Sequence, residues 1–108
     1  MEQNLLQETI EVLKWHNKTL EDIIFVKDDK DEDINSKITI EELKTILDVN
    51  YDNGWGIIEI NMHLQLIGKD FWLERHEYDG SEWWEYKELP IYDPGKEAPL
   101  SQICVNDN

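Results

Sequence analysis

The stretch Phe71–Leu89, FWLERHEYDGSEWWEYKEL, constrains the fold more than any other part of the chain. Aromatic and charged residues alternate on both sides of Asp79-Gly80, and such alternation around a turn dipeptide encodes two antiparallel strands with unlike faces. A third run, His63 to Ile67, is joined to it by Gly68-Lys69-Asp70, so the pattern predicts a β-meander of strands 63–67, 71–78 and 83–89. Adjacent Trp83 and Trp84 must point to opposite faces, one into the core and one outward unless the tail or the first helix covers it. The register follows from charge, because like charges directly opposite each other repel. A two-residue turn sets Glu74 opposite Glu85 and Glu77 opposite Glu82, whereas a four-residue loop at 79–82 sets Glu74 opposite Lys87 and His76 opposite Glu85. The charge argument favours the longer loop.

Upstream, Leu5, Leu6, Thr9, Ile10, Val12 and Leu13 recur at helical spacing and predict an amphipathic helix over about residues 3–16, ended by Asn17-Lys18. Ile23 to Val26 is a short β-branched and aromatic run, a buried strand. Residues 28–33 hold five acids and one lysine and read as a solvated loop. Lys37 to Ile40 suits a short strand. Thr39, with Glu42 three residues on, suits the capping box of a helix over 40–48 whose apolar stripe is Ile40, Leu43, Ile46 and Leu47. Asp52-Asn53-Gly54 is a turn, and Trp55 to Ile60 is open between an extended and an irregular reading. Pro90, Pro94, Gly95 and Pro99 break regular structure after the last strand. The expected architecture is a single α+β domain over 1–90, an antiparallel sheet of about four strands packed by two helices, followed by an irregular tail at 91–108.

Charge bounds the function. Asp plus Glu number 25 against 10 Lys plus Arg, a formal net charge of −15. Such a field repels nucleic acid and anionic membranes and attracts basic surfaces, of which nucleic-acid-binding proteins carry the largest. Five tryptophans give too much apolar surface for a disordered acidic tail. The single cysteine, Cys104, allows neither an internal disulfide nor a thiolate zinc site. The N-terminal residues have neither a basic n-region nor a long apolar run, so a cytoplasmic protein is expected.

Two constellations could carry chemistry. Asp31, Asp33, Asn35, the Lys37 carbonyl, Thr39 and Glu42 stand at positions 1, 3, 5, 7, 9 and 12 of an EF-hand-like run, which makes a calcium-binding module the rival reading. Ser36 replaces the glycine of its sixth position, and Lys27 to Lys30 replace an apolar incoming helix. The other constellation is acidic and aromatic: Asp28, Asp29, Asp31, Glu32 and Asp33 in the loop, with Glu74, Glu77, Asp79, Glu82, Trp83, Trp84 and Glu85 in the hairpin. An indole ringed by carboxylates suits an arginine- or lysine-bearing partner. A third reading is a small regulatory or structural subunit with incidental acidity. Catalysis is not indicated. His16, His63 and His76 are scattered without an HExxH, Ser-His or Cys-His pattern, the glycines form no phosphate loop, and no cofactor is called for.

The segments VNYDNGWGIIEI and LIGKDFWLERHEYDGSEWWEYKELP resemble a family of short proteins carried by phages and conjugative elements of Gram-positive bacteria. The resemblance runs from Thr19 to Pro90, with WLERHEYDGSEWWEYK its most specific part. Small acidic proteins of such elements include anti-CRISPR inhibitors that bind a Cas nuclease and occupy its DNA channel. The resemblance therefore implies a DNA-mimicking protein inhibitor in the bacterial host cytoplasm, with a Cas nuclease, Cas9 above all, as partner and no direct contact with nucleic acid. The calcium-like run is outside the pattern of that family.

Overall fold

The computed structural model describes residues 2–30, 34–54 and 56–104. Asp31, Glu32 and Asp33 of the predicted acidic loop, Trp55, and residues 105–108 of the predicted tail lie outside the described residues.

The fold is α+β, with two antiparallel sheets. Strands β2 (Phe25–Asp28), β3 (Ile34–Lys37), β5 (Leu64–Ile67), β6 (Phe71–Tyr78) and β7 (Ser81–Glu88) form a five-stranded sheet in the order β3-β2-β5-β6-β7. The predicted meander is its β5-β6-β7 half. A separate two-stranded ladder joins β1 (Glu2–Asn4) to β4 (Asn50–Asp52). Helices α1 (Leu5–Trp15) and α2 (Ile40–Leu47) pack on one face of the large sheet, and their Leu5, Leu13, Leu43 and Leu47 share a core with Leu66, Leu73, Phe71 and Trp84. Each such side chain contributes about 1.5–3 kcal/mol on leaving water.

Helix boundaries follow from capping. Asn4 Oδ1 accepts from the Gln7 N–H at 3.0 Å, so Asn4 is the N-cap and residues 2–4 extend into β1, not into the helix predicted from about residue 3. At the other end Lys18 N–H reaches the Leu13 carbonyl at 2.9 Å and Asn17 N–H the Lys14 carbonyl at 3.1 Å, with Asn17 at φ 59°. This is a Schellman ending with asparagine in the left-handed position, and it places the stop where the sequence predicts it. For α2, Thr39 Oγ1 accepts from Glu42 N–H at 3.2 Å while Glu42 Oε1 accepts from Thr39 N–H at 3.0 Å, the reciprocal box expected there.

The sheet has five strands where about four are expected, because Ile34–Lys37 pairs onto the outer side of Phe25–Asp28, and a separate two-stranded ladder stands beside it; three further expectations are corrected. First, the strand predicted at 23–26 lies at 25–28. Ile23 follows a 3-10 turn, Leu20–Asp22, that buries Leu20 and Ile23 beneath the helices. Second, the strand predicted at 37–40 lies at 34–37, because the cap at Thr39 already commits residue 40 to the helix. Third, the β6–β7 hairpin has the two-residue turn, with Glu74 opposite Glu85 and Glu77 opposite Glu82. Asp79 and Gly80 take φ 52° and 85°, the positive pair that matches the right-handed twist of the strands and that Asp-Gly accepts readily. In the tail, a 3-10 turn Pro94–Lys96 and a short helix α3 (Leu100–Cys104) stand where irregular chain is expected, and every described residue from Leu89 onward is exposed. No helix among the described residues is long and apolar enough to cross a membrane.

Candidate functional site

Antiparallel pairing decides where the acids collect. Strands β2 and β6 both run opposite to β5, so Asp28 and Tyr78 end at the same edge of the sheet, and the chain after each turns back there. Across two to three strands, and with Tyr78 three residues past the level of Asp28, the two turns stand roughly 15–18 Å apart. The segment 56–63 crosses between them. Asn61 Nδ2 donates to Asp28 Oδ2 at 2.9 Å, Asp29 N–H donates to the His63 carbonyl at 3.3 Å, and the Glu59 and Ile60 N–H groups donate to Glu82 at 2.8 and 3.1 Å. This turn end therefore gathers Asp28, Asp29, Glu59, Glu77 and Asp79, with Lys30 and the His63 ring nearby.

Asp28 and Asp29 are held in place by their neighbours. The Lys30 backbone N–H, and after it the Asn61 amide, hold the Asp28 carboxyl below the usual aspartate range, so it stays ionised. Asp29 lies 3.3 Å from His63 Nδ1 and accepts from Gln65 Nε2 at 3.5 Å. Glu77 and Asp79 are exposed at the hairpin tip.

On the sheet face away from the helices, a second array joins β6 to β7. Trp72 Nε1 donates to Glu74 at 2.8 Å and Trp83 Nε1 donates to Glu85 at 3.3 Å. His76 lies between the two carboxylates, its Nε2 3.0 Å from Glu74 and its Nδ1 3.5 Å from Glu85. Lys87 Nζ is 3.4 Å from Glu85. Burial pushes the Glu85 carboxyl up, but the Trp83 indole, His76 and Lys87 outweigh it and hold it below the ordinary glutamate range. Of the two like-charged pairs that the two-residue turn creates, Glu74 and Glu85 are thus bridged by His76, while Glu82 is turned inward onto Arg75 and away from Glu77. Trp83 is half-buried on this face, opposite to the face that carries Trp84 and packs against α1.

Two of the residues predicted to meet a partner are interior. Glu82 is 2 % exposed and Trp84 is 4 % exposed, because even-numbered positions of β7 face α1. Glu82 accepts from Arg75 Nη2 at 3.1 Å, and Arg75 also reaches Tyr51 Oη at 3.1 Å and Glu8 Oε1 at 3.4 Å. Tyr51 Oη donates to Glu8, whose other oxygen accepts from the Trp84 N–H at 3.3 Å. The Arg75 guanidinium lies 4.8 Å from the Trp84 ring and 5.3 Å from the Tyr51 ring. Its Nε is the one buried side-chain polar atom without a hydrogen-bond partner among the described residues. Burial, and then the bond to Glu8, push the Tyr51 hydroxyl well above the usual tyrosine range. Glu8, Tyr51 and Arg75 escape a sequence reading, since they stand as far as 67 residues apart in the chain; an arginine on the inward phase of β6 is the one signal. The network is sealed and binds α1, β4, β6 and β7 together.

The EF-hand-like run does not form an ion cage in its described part. Asn35 and Lys37 pair with Lys27 and Phe25 in the β2–β3 ladder, and Thr39 and Glu42 are engaged with each other in the helix cap. Extended backbone strings residues two apart along one face at intervals of about 7 Å, whereas a calcium loop must wrap its ligands around one point. No group of three or more His, Cys, Asp or Glu suited to a metal is present among the described residues.

No protein-family model, curated protein or solved structure matches the chain.

Proposed function

We propose that this protein acts by binding, as an inhibitor that offers the carboxylates at the turn end of its sheet to the cationic, nucleic-acid-binding surface of another protein. The observation that supports this most is topological: Asp28 and Asp29 from one turn and Glu77 and Asp79 from the other share one end of the molecule, although some fifty residues separate them in the sequence. The carboxylates stand in for phosphates on arginine and lysine side chains, and a net charge of −15 steers the encounter. The mechanism is competitive. It requires no bond to be made or broken, and the protein is not an enzyme on this reading.

The resemblance to short proteins of phages and conjugative elements makes a Cas nuclease the leading partner, its DNA channel the surface blocked and the host cytoplasm the place of action. Gel filtration with Cas9 and guide RNA, followed by a DNA-binding assay, tests this. Co-elution with loss of DNA binding is expected; separate elution with unchanged DNA cleavage rejects the assignment of that partner.

A further inference from the structure

Most of this surface should repel anions, yet one hollow is built the other way. Between α1, the 18–21 segment and the start of α2 lies a groove of about 470 Å³ whose apolar lining is Ile10, Leu20 and Ile40. Leu20 is buried and Ile40 half-buried, so they form its floor. Around it stand Lys14, Lys18 and Lys44, with Glu21 the single acid of the lining. Three of the ten basic residues of the chain thus rim one apolar cleft. Lys18 is already engaged, 3.8 Å from Asp70 and 5.1 Å above the Phe71 ring. Lys14 and Lys44 are exposed and take part in no ion pair among the described residues.

We propose that this groove binds a single-chain anionic amphiphile, the simplest being a free medium-chain carboxylate. Its alkyl chain would lie on Ile10, Leu20 and Ile40 and its head group beside Lys14 and Lys44. Charge complementarity carries the assignment, because the site is locally cationic in a chain that is otherwise strongly anionic. A purely polar anion would leave the apolar floor wet, and a neutral apolar ligand would leave the lysines unused. The volume is that of a small-molecule site, which favours one short chain over a docked peptide helix that needs anchors along several turns. A lipid bilayer of anionic head groups is disfavoured, since the whole molecule would have to approach it against its own field.

The test is a methyl-detected NMR titration of the full chain with decanoate, with decanol as the neutral control, in low salt and below micelle formation. Saturable shifts centred on Ile10, Leu20 and Ile40 are expected, with decanol binding weaker by about fivefold or more. Lys14→Gln with Lys44→Gln should bring decanoate down to the affinity of decanol while leaving the thermal midpoint unchanged. Equal affinity for the two probes, shifts centred elsewhere, or no saturation would overturn the proposal. Binding confined to phosphatidylglycerol vesicles or to an acidic peptide, without decanoate binding, would overturn it as well.

Discussion

Arg75 Nη2 lies 3.1 Å from Glu82 Oε1, and neither side chain has any surface in contact with solvent. A pair so enclosed survives only when its remaining donors and acceptors are met, and here Tyr51, Glu8 and two backbone N–H groups meet most of them. The same pair fixes the hairpin register, since a shift of one residue would turn Glu82 out and a neighbour in.

Glu82→Ala should therefore destabilise the fold by about 3–5 kcal/mol, because it strands the Arg75 charge and frees the Glu59 and Ile60 N–H groups. The near-isosteric Glu82→Gln retains one acceptor oxygen and should recover part of that loss. Urea midpoints of the two variants check the order; a Glu82→Ala protein as stable as the parent would contradict the buried role.

Tyr51 makes stability sensitive to alkali. Its hydroxyl is buried and donates to Glu8, so the folded state holds the proton above the usual tyrosine value, whereas the unfolded chain releases it near pH 10. The resulting stability is complete below about pH 10 and declines as the pH rises from there through the folded value. Tyr51→Phe should cost about 1–3 kcal/mol at neutral pH through the lost bonds, yet fall less steeply between about pH 9.5 and 11.5. Urea midpoints across that range, for both proteins, decide it.

At the hairpin tip, Gly80→Ala should destabilise by about 1–2 kcal/mol or more. Gly80 has φ 85°, and a Cβ there would come within 2.7 Å of the Gly56 backbone nitrogen. Asp79→Asn, in contrast, suits a left-handed position and should leave the thermal midpoint within error. A neutral outcome for Gly80→Ala would argue against the tight turn.

The hairpin shows where the sequence could be read and where it could not. Alternation gave the strands of the meander, Thr39 and Glu42 gave the start of α2, and Asn17 gave the end of α1, because each of these signals is local and has a stereochemical cause. Charge does not set the register, because repulsion between surface glutamates is worth only about tenths of a kcal/mol and yields to the preference of Asp-Gly for two positive φ angles. The acids also looked alike in sequence. Only pairing partners from distant segments separate Glu82, locked on Arg75, from Glu77 and Asp79 at the surface, and those partners cannot be read from spacing. Likewise the gathering of both acidic turns at one end depends on the strand order β3-β2-β5-β6-β7, which no local pattern encodes.

Neutralising the turn end with minimal change of shape isolates its charge: Asp28→Asn, Asp29→Asn, Glu77→Gln and Asp79→Asn together keep the side-chain sizes and leave the buried Arg75–Glu82 pair untouched. The decisive measurement is the affinity of this variant and of the parent for guide-loaded Cas9 across a salt series. The account predicts binding weakened by about tenfold or more at low salt and a shallower dependence on salt. Parent and variant with the same affinity and the same salt dependence would contradict it.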